Sequence, residues 1–255
     1  MWRLRLRDQG PNWPGALRLP PRSLEKQQQM AGEFLGRVEA ERPVVRAEAA
    51  QGELSQGAVR LMIEAVLHPG EPLMELYTGL NLHPAEGKAA LDELQARGFV
   101  WLHRLPRKGR GAWYVVPEVT ARADGELRRR GIKRPEPVLK GGFKHDVYGR
   151  WEGKWAAKRH FRHWYERTFG KKTFDFVYEQ PNGKLVAVED CLTGTAAFNA
   201  KQAMKGLENE GISQLVIACE TRKFAQEVEG ELKKLDELGL YRGRVRVCQL
   251  AEFVD

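Results

Sequence analysis

Between Gly57 and Arg97, apolar residues recur at the three-and-four spacing of an amphipathic helix, and turn residues interrupt the pattern twice. Val59, Met62, Ile63 and Val66 predict a first helix that stops at His68-Pro69-Gly70, because proline has no amide hydrogen for the helical ladder. Leu73 to Thr78 predicts a short second helix before the turn Gly79-Leu80-Asn81. His83-Pro84 opens a third, with Ala90, Leu91 and Leu94 on one stripe and Arg97-Gly98 at its end. Phe99 to Leu102 and Ala112 to Val116 then read as two strands around a basic, glycine-containing tip from Arg104 to Arg110.

The period changes after Phe143. A basic, aromatic segment from Lys144 to Arg167 predicts a helix, with Tyr148, Trp151 and Trp155 as its core side. Two short apolar runs around a Pro-Asn-Gly turn follow, with Phe174, Phe176, Val186 and Val188 as core. The rest alternates: a helix from Ala196 to Glu210, a strand from Gln214 to Cys219, a helix from Thr221 to Leu238 and a strand from Arg244 to Leu250. Alternation of this kind predicts an α/β domain with a mixed sheet and helices on both faces, so the whole chain reads as multidomain α+β.

Four segments result: an N-terminal arm and helix (1–56), the three helices and hairpin (57–121), a basic linker (122–142) and the α/β domain (143–255). In the first, Met1 to Pro21 reads as an extended arm, or through Trp2, Leu4 and Leu6 as a short edge strand. Ser23 can cap a helix carrying Phe34, Leu35 and Val38, which fits a homodimer contact or a brace for the next segment. The linker holds Arg128, Arg129 and Arg130 among prolines and glycines and is expected to be flexible and attractive to phosphates.

Composition narrows the partners. The 255 residues carry a net charge of +8 and a pI of about 9.4, favouring polyanions. Cys191, Cys219 and Cys248 form no Cys-x-x-Cys pair and read as small buried hydrophobes in a reducing cytoplasm. No run approaches a membrane span, so no membrane partner is expected. Neither a phosphate-binding glycine loop nor a serine-nucleophile signature is present.

The chemistry concentrates on Asp175, within Phe-Asp-Phe-Val, and Glu189, which closes Leu-Val-Ala-Val-Glu. A carboxylate in a run buried on both faces costs several kcal/mol unless a cation or hydrogen bonds compensate, so two on neighbouring strands suggest a shared divalent ion. Asp190 reads as a solvated turn residue. His145, His160 and His163 read as solvated or phosphate-facing, although His160 and His163, three apart on one expected helix, have a spacing that would suit zinc; no third ligand is evident.

From Phe143 to Val254 this order of elements resembles the restriction-endonuclease-like, or PD-(D/E)XK, family. The resemblance implies Mg²⁺ or Mn²⁺ held by Asp175 and Glu189 and cleavage of DNA. It departs where the family has Lys two residues after the Glu, since this chain has Cys191, and Lys201 or Lys205 on the next helix are the candidates for a displaced Lys. The segment LDELQARGFVWLHR…GRGAWYVV resembles the recognition helix and wing of winged helix-turn-helix domains. That resemblance implies base contacts from Asn81, His83 and Lys88 and phosphate contacts from Arg104, Arg107, Lys108 and Arg110. Arg128, Arg129, Arg130, Lys158 and Arg159 extend the basic surface.

The domain order, with the pieces ALDELQARGFVWL, KHDVYGRW and LVAVEDCLTG, resembles replication-relaxation and mobilisation proteins of plasmids and mobile elements. It implies double-stranded DNA as partner, with single-stranded DNA as a further one. Two functions stay open: a Mg²⁺-dependent endonuclease or nickase, and a non-catalytic DNA-binding regulator with a degenerate nuclease domain.

Overall fold

Ser55 sets the first helix by accepting the Ala58 N–H (3.2 Å), which satisfies one of the amides that a helix start leaves free. In the computed structural model, which describes residues 52–107, 113–207, 211–235, 239 and 243–254, helix α1 runs Gln56–Leu67. Its buried face is Ala58, Leu61, Met62, Ala65 and Val66, rotated slightly from the expected stripe. Helices α2 (Leu73–Gly79) and α3 (Pro84–Ala96) follow. Strands β1 (Val100–Pro106) and β2 (Trp113–Val119) pair antiparallel from Val100↔Val119 to Pro106↔Trp113. The expected arm and helix before residue 52 lie outside the described residues.

The basic segment is not a free linker. A 3₁₀ turn (Ala121–Ala123) leads into helix α4 (Asp124–Arg129), Leu139 is buried, and the Arg134 guanidinium donates to Val119 O (2.6 Å) and Asp124 Oδ1 (2.7 Å). Local acids hold two of its arginines: Arg129 and Arg130 pair with the buried Glu126.

Helix α5 (Phe143–Lys158) joins the two halves. Trp151 Nε1–H donates to the buried Gly70 carbonyl (2.9 Å), and His103 of β1 packs against Phe143 with ring centroids 4.6 Å apart. Leu105 and Val116 of the hairpin share one core with Val147, Tyr148 and Trp151. The described residues therefore form one compact unit with no break in packing at 122–142.

Helix α5 ends nine residues earlier than expected. Arg159 caps it, His160 takes a left-handed φ of 58°, and β3 (His163–Phe169) begins, so His160 and His163 share no helix. Strands β4 (Lys172–Glu179), β5 (Leu185–Cys191), β6 (Gln214–Cys219) and β7 (Val245–Gln249) complete a sheet of order β3-β4-β5-β6-β7. The first three are antiparallel and the last three parallel, the latter joined through helices α6 (Ala196–Leu207) and α7 (Arg222–Leu235) as parallel pairing requires.

Phe176, Val186, Val188 and Val216 face α5, while Val177, Ala187, Leu215 and Ile217 face α6 and α7. Each such burial contributes roughly 1.5–3 kcal/mol, which fixes the strand register. No helix among the described residues is long and apolar enough to cross a membrane.

Candidate metal centre

Strands β4 and β5 pair from Glu179↔Leu185 to Phe176↔Val188 and then part, so Asp175 and Glu189 stand where the next rung would be. The parting leaves room for side chains between the strands. Phe176 faces α5 but Phe174 packs toward α6 and α7, so the ordinary alternation breaks at Asp175. Across from it on β3, Glu166 has a φ of 45°. Asp175 Oδ2 accepts the Asp190 N–H (2.9 Å), leaving Oδ1 free to face inward.

Asp190 continues the Val186–Val188 face toward α5, and its side chain is 0 % exposed. The expectation of a solvated turn residue is corrected here: the strand runs two residues further than its apolar pattern suggests and carries the acid inside. Opposite, α5 presents His145 and Glu152, which are two turns apart and therefore on one helix face. Glu152 is 0 % exposed. His145 Nε2 lies 3.4 Å from Asp175 Oδ1 and 3.6 Å from Asp190 Oδ2. His145, Asp175 and Asp190 each bring a ligand atom within 4.8 Å of the others.

The electrostatics are unbalanced. Both oxygens of Glu152 and both of Asp190 are buried without a hydrogen-bond donor, although the two carboxyls lie within reach of each other. Burial first, then the neighbouring Asp190 charge, pushes Glu152 well above the usual carboxylate range. Burial and Asp175 push Asp190 up to about 8. The close contact with Asp175, opposed by burial and reinforced by Asp190, pushes His145 up to about 9. Protons thus supply the positive charge that the cluster needs. A divalent cation would supply it better, because the orphaned oxygens and the inward-facing Nε2 are donors.

Glu189 points to the opposite face of β5, with Ala187 and Cys191. The Lys172 ammonium lies 3.1 Å from its Oε1 as an ion pair and contacts the Gln202 carbonyl at 3.4 Å. Burial and then Asp175 raise Glu189 to about 7, with Lys172 acting in the other direction. The cation beside the acids is therefore Lys172, three residues before Asp175. Lys201 and Lys205 have exposed side chains on α6.

Cys191, where the resemblance expects Lys, is buried in the core against α6 and pairs in register with Cys219. On the far side, Tyr148 is buried with its hydroxyl 3.4 Å from Glu220, which also holds Lys144 at 2.7 Å. A cleft of ≈ 600 Å³ opens onto His145 and Asp190, with His103 and Glu118 of the hairpin on one wall and Lys140, Lys144 and Thr193 among its other residues.

The remaining sequence candidates lie away from this centre. Asn81 (φ 53°), His83 and Lys88 are exposed, but His83 Nδ1 accepts the Ala85 N–H at the start of α3 and Lys88 pairs with Asp92 at 2.5 Å. Arg104 is exposed, and Arg107 stands 5.3 Å above the Tyr114 ring; Lys108 and Arg110 lie outside the described residues. Arg128 is exposed, with its Nε on the Asp124 carbonyl at 3.3 Å. Lys158 and Arg159 are exposed, Arg159 lying 4.5 Å over Trp155. The sequence singles out neither Glu152 nor Lys172, and His145, expected to be solvated or phosphate-facing, is instead turned inward against Asp175 and Asp190. The seven-residue spacing of His145 and Glu152, with Tyr148 between them on the same face, was a readable signal; nothing local marks Lys172.

Comparison with family models, curated proteins and solved structures found no significant match to the chain.

Proposed function

We propose that this chain is a divalent-metal-dependent DNA endonuclease or nickase, with a winged-helix DNA-binding part and a restriction-endonuclease-like catalytic part. Replication or mobilisation of a plasmid or mobile element is the setting its resemblances suggest. The observation that carries the reading is the buried, donorless pair Asp190 and Glu152 beside Asp175 and His145, at the splayed end of a mixed sheet, with an open cleft reaching Asp190 and His145.

His145, Asp175 and Asp190 would hold the ion, which when bound supplies Lewis acidity and lowers the pKa of water. Glu152 backs Asp190 and takes up or releases a proton as the charge of the cluster changes. Glu189 stands one residue beyond the last β4–β5 rung, beside Asp175 but on the face of β5 turned away from Asp190. Lys172 balances Glu189. Lys140 and Lys144 at the cleft meet the DNA backbone.

The test is cleavage of supercoiled, linear and single-stranded DNA with Mn²⁺ or Mg²⁺, comparing wild type with Asp175→Ala and Asp190→Asn. Loss of cutting in both variants with DNA binding kept supports the reading. The second reading, a non-catalytic DNA-binding regulator, draws on Cys191 in place of the family's Lys. Wild-type protein that binds DNA but neither binds Mn²⁺ nor cuts any of the three substrates would establish it.

A further inference from the structure

We infer that the centre is built for a nitrogen-accepting transition ion such as Mn²⁺ in preference to Mg²⁺, with His145 as the selecting ligand. The inference rests on the proposed metal-dependent nuclease and adds the chemical class of its cofactor. Its basis is the orientation of one imidazole.

His145 Nδ1 lies 2.5 Å from the Lys140 carbonyl oxygen, which can only accept, so Nδ1 carries the hydrogen. In the neutral ring the lone pair then sits on Nε2. That atom is buried without an aligned hydrogen bond and points between Asp175 and Asp190. Three features hold it there. The Lys140 N–H donates to Glu166 Oε1 at 2.9 Å, which fixes the peptide bearing the acceptor's loop. Gly141, at φ +129°, has no Cβ; one added there would collide with His145 Nδ1. Gly142, at φ +96°, turns the chain into α5 so that His145 falls on the helix's first turn.

The separations suit one ion. Ligands about 2.1 Å from a metal lie roughly 3 Å apart at adjacent octahedral positions, close to the 3.4 and 3.6 Å between His145 Nε2 and the two carboxylates. One imidazole and two carboxylates form a mixed nitrogen–oxygen set. Mg²⁺ is hard, favours oxygen and gives up its water reluctantly, whereas Mn²⁺ and later first-row ions accept imidazole. Asp190 and the Glu152 that lies against it are both buried and without a hydrogen-bond donor, so the cluster lacks compensating positive charge.

Calorimetric titration of the full chain with MnCl₂ and with MgCl₂, and pulsed electron paramagnetic resonance of the Mn²⁺ form, test this. Wild type is expected to bind Mn²⁺ on the order of tenfold or more tighter than Mg²⁺ and to show ¹⁴N coupling from one imidazole. His145→Asp should remove the coupling and close most of the gap, with Mg²⁺ binding retained. Glu166→Ala should weaken Mn²⁺ binding by roughly tenfold or more, and Glu166→Gln should restore it, since an amide oxygen also accepts the Lys140 N–H. The wild-type spectrum needs no variant to fold. Equal affinity for both ions, or bound Mn²⁺ without ¹⁴N coupling, would overturn the inference and leave a metal nuclease standing. Absence of any divalent binding would overturn both.

Discussion

Asp190 and Glu152 meet inside the protein, one from β5 and one from α5, with no donor between their carboxyls and neither side chain exposed. Two ionised carboxylates cannot stay there uncompensated, so they share a proton or a cation. The metal-free protein should consequently lose stability as pH rises. Glu152, Glu189 and Asp190 bind protons more tightly when folded, so the folded state prefers the protonated form from the ordinary carboxylate range up to about 7 for Glu189 and about 8 for Asp190. His145, raised to about 9, adds a contribution present below its ordinary 6.5 and lost as pH climbs through 9. Thermal melts in EDTA should show a midpoint that falls across this range, and Glu152→Gln should flatten the fall.

Metal affinity should run the other way. Asp190 and His145 must shed protons to become ligands, so Mn²⁺ binding should strengthen as pH rises through about 8 to 9. Calorimetry in buffers of differing ionisation enthalpy should register proton release on binding. Binding independent of pH would place the ion elsewhere.

Placing at position 191 the Lys that the nuclease resemblance expects should fail. The side chain would enter the apolar core with Ala200, Ala203 and Cys219, so an ammonium there should destabilise the fold by several kcal/mol rather than raise cleavage. Lys172→Ala, which leaves the half-buried Glu189 without its cation, should lower the melting temperature, and Glu189→Gln in the same background should restore part of it.

DNA affinity should depend on Arg104 and Arg107. Reversing both charges should weaken binding to all sequences alike and make the salt dependence shallower, by roughly one in the log–log slope for each phosphate that is no longer neutralised. Filter binding or anisotropy across a salt series reads this out, and an unchanged slope would remove Arg104 and Arg107 from the interface.

Trp151→Phe should cost about 1–3 kcal/mol, because it strands the buried Gly70 carbonyl at the seam between the two halves. Calorimetric unfolding of the wild type should show the described residues melting together, since the hairpin and α5 share one core.

The amino-acid pattern by itself determined the helices α1 to α3, the hairpin and the strand–helix alternation from β4 onward, because periodicities of 3.6 and 2 are written locally and burial enforces them. It also marked Asp175 as an acid inside an apolar strand. It did not mark β3, whose half-buried histidine, arginine and aromatics read equally well as the end of a basic helix until His160 turns left-handed.

The tertiary structure alone decided which acid joins Asp175. Glu189 and Asp190 are neighbours in sequence and point to opposite faces of β5, and the splay of β4 at Asp175 directs the cluster toward the α5 face, where Asp190, His145 and Glu152 converge. Lys172 reaches Glu189 for the same reason: their 3.1 Å separation is set by the pairing of separate strands, and a chain read one residue at a time carries no record of that pairing.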